Sequence, residues 1–277
     1  MQCIKNWMSG IKSTEKWRWK KMNILLTNDD GILAKGLLAV HKVFSQKHEV
    51  SVIAPDRERS AVGHGISLNT PIRAKKILFT EQDWGHAVSG TPVDCIKLGI
   101  LELLPRKPDL VISGINPGAN TGVNINYSGT VAAAREACLY GIPSIAVSIK
   151  GHDPIHLDDA ALFMLSLIEQ MAATRLPAGT FLNVNFPDLP IDRYPDIRIS
   201  HQDLLFYNEY IDKKSDPRNQ AYYWHGAEIK NGIVDSGSDT SNLNKNYISI
   251  TPIKCDMTDY ALIDELKILE KFSVSKE

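Results

Sequence analysis

Short apolar runs recur along the chain at 23–27, 50–54, 109–112, 144–149 and 180–186, and most are separated by stretches of helical periodicity. A run of that length is what a strand buried on both faces looks like. Strand and helix in repeated alternation leave few topologies open, because the crossover between parallel strands packs back onto the sheet with one hand. The spacing predicts an α/β fold on a doubly wound, mostly parallel sheet. Leu33, Leu37, Val40, Val43 and Phe44 place a helix over 34–46. Thr91-Pro92-Val93-Asp94 reads as a helix start, with a threonine cap, proline at the first position and an acidic first turn. Ile96, Ile100, Leu103 and Leu104 mark its buried face, and further helices are expected at 131–140, 158–176 and 259–272. Residues 66–90 alternate weakly around Asn69-Thr70-Pro71 and read as a hairpin or meander at the sheet edge.

Ligands of such sheets bind just beyond the carboxyl ends of the strands, so the residues following each run carry most of the information. The first run ends in Asn28-Asp29-Asp30-Gly31. Adjacent carboxylates repel one another, and a hard divalent cation removes that cost. The plain alternative is a polar turn with an aspartate capping the next helix. After the second run comes Asp56-Arg57-Glu58-Arg59-Ser60-Ala61-Val62-Gly63-His64, where Ser60 offers a neutral oxygen and His64 an acid, a base or a phosphate donor. The third run enters Ser113-Gly114-Ile115-Asn116-Pro117-Gly118-Ala119-Asn120-Thr121-Gly122, whose amides Asn116 and Asn120 are acceptable ligands for a hard cation. Tyr127-Ser128-Gly129-Thr130 opens the helix over 131–140, and a hydroxyl there caps the helix, holds a phosphate, or does both. Two carboxylates and two neutral oxygens would leave a cation open to water and substrate, an arrangement suited to phosphate-ester hydrolysis.

Composition narrows the classes. A net charge of −1 gives no general attraction to nucleic acid or membranes, so an anionic ligand has to be held locally. No run reaches the length of a membrane span. Cys3, Cys95, Cys138 and Cys255 form no Cys-x-x-Cys pair, which argues for a reducing compartment; a cytoplasmic location is expected. Residues 1–21 carry six basic residues against one acidic residue and are read as a dispensable, disordered extension before Met22. Residues 22–187 form the expected catalytic core. From 188 the texture turns to prolines and aromatics (Tyr207, Tyr210, Tyr222, Tyr223, Trp224) with a strand expected at 247–252, so 188–277 reads as a β-rich elaboration or oligomerisation arm ending in a helix.

The Asn-Asp-Asp-Gly turn, the 54–64 stretch, the 113–122 loop and Tyr-Ser-Gly-Thr-Val-Ala-Ala-Ala-Arg-Glu-Ala together resemble the SurE family of survival proteins over residues 22–270. The resemblance implies a Rossmann-like core and a metal-dependent phosphatase of nucleoside monophosphates, a 5′-nucleotidase. It implies Asp29, Asp30, Ser60 and Asn116 as ligands of one Mg2+ or Mn2+ per subunit. It also implies Asp29, Asn28 and His64 as catalytic residues and Asn120, Ser128, Gly129 and Thr130 around the phosphate. The resemblance further implies pairing as a dimer or tetramer through the C-terminal extension. Ala132 stands where the family often has Gly, Asn124 where Asp is common, and the basic leader is outside the pattern.

Three rival readings fit less well. Haloacid-dehalogenase-type phosphatases space their carboxylates as Asp-x-Asp, whereas Asp29 and Asp30 are adjacent. A dinucleotide-binding oxidoreductase needs Gly-x-Gly-x-x-Gly at the first turn, where this chain has two carboxylates of the wrong sign for pyrophosphate. The third rival is a non-catalytic nucleotide-binding stress protein, which measured phosphate release would exclude.

Overall fold

The computed structural model describes residues 21–171, 176–194, 196–204, 208–228 and 235–271; the leader before Lys21 and Tyr207 lie outside them. β1 (Asn23–Thr27) is fully buried and pairs in parallel with β2 (Glu49–Pro55) on one side. Its residues alternate between two cores. Ile24 and Leu26 enter the layer containing Leu37, Val40 and Phe44 of α1 (Lys35–Phe44), while Leu25 faces the opposite layer. Gly36 is what lets α1 lie close to the sheet: a Cβ there would stand 1.9 Å from the Ile115 carbonyl oxygen.

β3 (Ala74–Leu78) and β4 (Trp84–Val88) form the edge hairpin anticipated within 66–90, and β4 pairs in parallel with β2. The capping box of Thr91 and Asp94 starts α2 (Pro92–Leu98), whose Cys95 and Ile96 pack on Leu25. β5 (Leu110–Pro117) lies on the other side of β1 and is followed by α3 (Gly129–Leu139). β6 (Ser144–Ile149), α4 (Leu157–Met171) and β7 (Thr180–Phe186) continue the parallel run. α4 packs with α1, placing Met164 and Ile168 in the first core, and α3 packs with α2 in the second. One sheet thus has helices on both faces, a doubly wound α/β fold.

Beyond β7 come β8 (Ile197–Ile199), the strands β9 (Asn208–Ser215) and β10 (Ala221–Glu228), a short helix α5 (Asp239–Asn244), β11 (Ile248–Lys254) and α6 (Tyr260–Leu266). β9 and β10 form a separate antiparallel hairpin. β11 instead rejoins the main sheet antiparallel to β7, with β8 beside it, so the order is β3-β4-β2-β1-β5-β6-β7-β11-β8.

Candidate active site

β1, β2 and β5 are adjacent and parallel, so the loops after them emerge at one edge of the sheet. There they meet the start of α3. A cavity of about 490 Å³ opens at this edge, and its walls include Asp29, Asp30, Ser60, Asn116, Asn120 and Ser128. These six residues come from four stretches of sequence. A second cavity, of about 530 Å³, lies at the opposite edge; its wall is mostly apolar, with Ile142, Ile145, Ile168 and Met171.

Asp29 is buried, and its carboxylate sits against the N-terminus of α3. It accepts a hydrogen bond from the Thr130 hydroxyl and bonds from the backbone N–H groups of Gly129 and Thr130. Burial raises its pKa, and those bonds oppose the rise. Gly129 is required by this close approach, since a Cβ there would lie 2.9 Å from the Asp29 Cβ. The Asp29 carbonyl accepts from the Arg59 N–H at 2.7 Å, which ties the loop bearing Ser60 to the first turn. Asp30 is half-buried, and burial followed by the charges of Asp29 and Glu58 pushes its pKa up to about 7. Its Oδ2 is buried without a hydrogen-bond partner among the described residues.

The neutral groups are equally well held. The Ser60 hydroxyl donates to Glu58 Oε1 at 2.6 Å. The Asn116 amide donates to the Gly118 carbonyl at 2.7 Å, and its Oδ1 has no hydrogen-bond partner among the described residues. Asn120 donates from its side chain to Ser148 at 2.9 Å, and its own backbone is gripped by the buried Asn183 and Asn185 of β7. Ser128 caps α3 by accepting from the Val131 N–H at 3.1 Å. Farther along, the Gly122 N–H donates to buried Asp239 at 2.9 Å, anchoring the 116–122 loop to the C-terminal part of the chain.

A divalent cation fits this donor set. Two crowded carboxylates, one with an orphaned oxygen, gain a counter-charge, and Ser60 and Asn116 add neutral oxygens. Among the described residues no three His, Cys, Asp or Glu side chains are grouped as a metal cluster.

Four expected site residues stand elsewhere. Asn28 is completely buried and donates to the Gly31 carbonyl at 2.9 Å, shaping the turn from behind. Gly129 and Thr130 hold Asp29 and do not line the cavity. His64 is also off the wall: its Nε2 lies 2.7 Å from Glu136 of α3, which also pairs with Lys97 at 3.1 Å. Conversely, Glu58, Tyr127 and His152 line the cavity without having been singled out for it. Glu58 lies within the 54–64 stretch, and Tyr127 opens the turn into α3. His152 follows the β6 run, where the rule about strand ends applies equally.

The Glu136 pairing has a measurable consequence. The hydrogen bond from His64, and after it the Lys97 ammonium, hold the Glu136 carboxyl below its ordinary value of 4.5 in spite of burial. The stabilisation is therefore complete above pH 4.5 and is lost as pH falls through the lower native value. Glu136→Gln is expected to melt below the wild type at neutral pH, with the gap closing under acid. A gap that stays constant with pH in thermal melts contradicts this charge pairing.

Fold and cavity together define a doubly wound α/β protein with an acidic, oxygen-lined site at its carboxyl edge. The family model described as survival protein SurE matches residues 24–209, and the chain belongs to that family. It is 51% identical over 246 residues to the 5′-nucleotidase SurE of Desulfatibacillum aliphaticivorans, covering 89% of this chain and 97% of the relative. Identity to the 5′-nucleotidase SurE of Heliobacterium modesticaldum is 46%, covering 88% and 90%. The crystal structure of the SurE protein from Aquifex aeolicus superposes with a TM-score of 0.79 at 36% identity, covering 90% of this chain and all of that one.

Proposed function

We propose that this chain hydrolyses nucleoside 5′-monophosphates to nucleoside and phosphate with the help of one Mg2+ or Mn2+ per subunit. The observation that carries this reading is the convergence of Asp29, Asp30, Ser60, Asn116, Asn120 and Ser128 on one cavity. Asp29, Asp30, Ser60 and Asn116 would hold the cation, which supplies the positive charge that draws on the phosphoryl oxygens and eases ionisation of water. Ser128 caps α3 through its lone pairs, so its hydroxyl hydrogen remains free to donate to a phosphate oxygen. Asn120 uses one amide hydrogen on Ser148 and keeps the other for the ligand. Thr130 and Gly129 act one step back, fixing the Asp29 carboxylate. Asn28 shapes the turn, and His64 braces the Ser60 loop against α3. The relatives named 5′-nucleotidase support the substrate class.

The same reading assigns the β9–β10 hairpin to self-association as a homodimer or homotetramer. Its exposed Tyr210, Tyr223 and Trp224 are apolar surface that a second copy would cover.

Phosphate release from a panel of nucleoside 5′-monophosphates tests the proposal. Release is expected with Mg2+ or Mn2+, loss on adding EDTA, and recovery when the metal is returned. No release from any member with either metal overturns it.

A further inference from the structure

Hydrolysis of a phosphate monoester has a proton requirement at each end. Water loses a proton as its oxygen bonds to phosphorus, and the departing ribose oxygen needs one as its bond to phosphorus breaks. Most of the cavity wall cannot supply the second proton. Asp29 and Asp30 serve the cation in the nucleotidase reading, Glu58 accepts from Ser60, a phenol such as that of Tyr127 and the serine hydroxyls are weak acids, and amides do not ionise. His152 is the one imidazole among the described residues lining the cavity.

Its position is built. His152 lies in the loop between β6 and α4, beside the strand that delivers Asn116. The Lys150 N–H donates to the Phe186 carbonyl at 2.8 Å on one side. On the other, the Asp153 carboxylate meets Lys35 at 3.4 Å and the His156 N–H donates to Asp188 at 3.0 Å. Gly151, at φ +105°, turns the chain just before it. The His152 ring is exposed and has no hydrogen-bond partner among the described residues, whereas the His64 ring is engaged by Glu136 away from the wall.

We infer that His152 is the general acid of the reaction, protonating the ribose 5′-oxygen as it leaves; this rests on the nucleotidase reading. Water oxygen bonds to phosphorus, and the bond from phosphorus to the 5′-oxygen breaks with its electron pair going to that oxygen. The imidazolium gives its proton to the oxygen, completing the nucleoside hydroxyl. One hydrogen of the water stays on the phosphate, and the other returns through solvent to the imidazole.

The test exploits the leaving group. A ribose alkoxide is a poor one and depends on an acid, whereas p-nitrophenolate departs as a stable anion. His152→Gln is compared with wild type on a nucleoside 5′-monophosphate and on p-nitrophenyl phosphate, both with Mn2+. Turnover of the nucleotide is expected to fall about 10²- to 10⁴-fold, and that of the aryl ester at least about tenfold less. Should the glutamine variant lose its thermal transition, His152→Ala is measured in its place, with the same split expected. Equal losses on both esters, or a nucleotide turnover within about threefold of wild type, overturn the assignment while the nucleotidase reading stands. A wild type that hydrolyses neither ester overturns both.

Discussion

Asp29→Asn is expected to lower phosphate release from nucleoside monophosphates by at least about 10³-fold, or about 4 kcal/mol of transition-state stabilisation, without lowering the melting temperature. The two halves of that expectation have one cause. Burial raises the pKa of the Asp29 carboxyl, so the fold alone works against its charge. Asparagine is nearly the same shape, and its oxygen can still accept from Thr130 and from the start of α3. Removing the charge therefore relieves the apo protein and disables the site, the trade between stability and activity expected where function demands an unfavourable arrangement. Thermal melts supply a readout independent of turnover. A cation that binds only the native state at 100-fold over its Kd stabilises by about 2.7 kcal/mol, so Mg2+ or Mn2+ should raise the wild-type midpoint. The Asp29→Asn midpoint should respond far less. A variant that keeps more than about a tenth of wild-type turnover, or an undiminished metal-dependent rise, removes Asp29 from the ligand set.

The sheet was legible because its signals are local. Short apolar runs and the Thr91-Pro92-Val93-Asp94 start each declare themselves within ten residues, and the rule about strand ends then brings Asp29, Asp30, Ser60, Asn116, Asn120 and Ser128 to one edge. Side-chain direction within those loops was much less legible, because it depends on partners far away in sequence. The Glu136 carboxylate that engages His64 is 72 residues downstream. The Asp29 carboxylate held by Gly129 and Thr130 lies far before them, Asp29 and Thr130 being 101 positions apart. A hydroxyl at a helix start looks the same whether it faces a ligand or a carboxylate already in place. The return of β11 to the main sheet is non-local in the same way, pairing Ser249 with Asn185 across the whole β9–β10 hairpin. His152 follows a strand as the other site loops do, but its run ends in Lys-Gly-His, without the paired carboxylates or amides that mark those loops.

Gly129→Ala separates a site that needs Asp29 held closely from one that merely needs it nearby. Position 129 is the first residue of α3, where alanine should favour the helix by up to about 1 kcal/mol over glycine. Propensity alone therefore predicts a more stable and fully active enzyme. Packing predicts the reverse: the new Cβ would stand 2.9 Å from the Asp29 Cβ, 3.0 Å from its Oδ2 and 3.2 Å from the Pro92 side chain. Neither neighbour yields easily, since Asp29 is buried with its carbonyl tied to Arg59, and Pro92 is a rigid ring at the start of α2. The overpacking should cost about 1–3 kcal/mol, enough to cancel the helical gain. If Asp29 holds the cation as proposed, displacing its carboxylate by about 1 Å is expected to reduce turnover about 10²-fold. Turnover and melting temperature measured together decide between the two. A Gly129→Ala enzyme that is more stable and fully active means that Asp29 has room to spare, and the close fit between the first strand's turn and the start of α3 is then not what sets the geometry of the site.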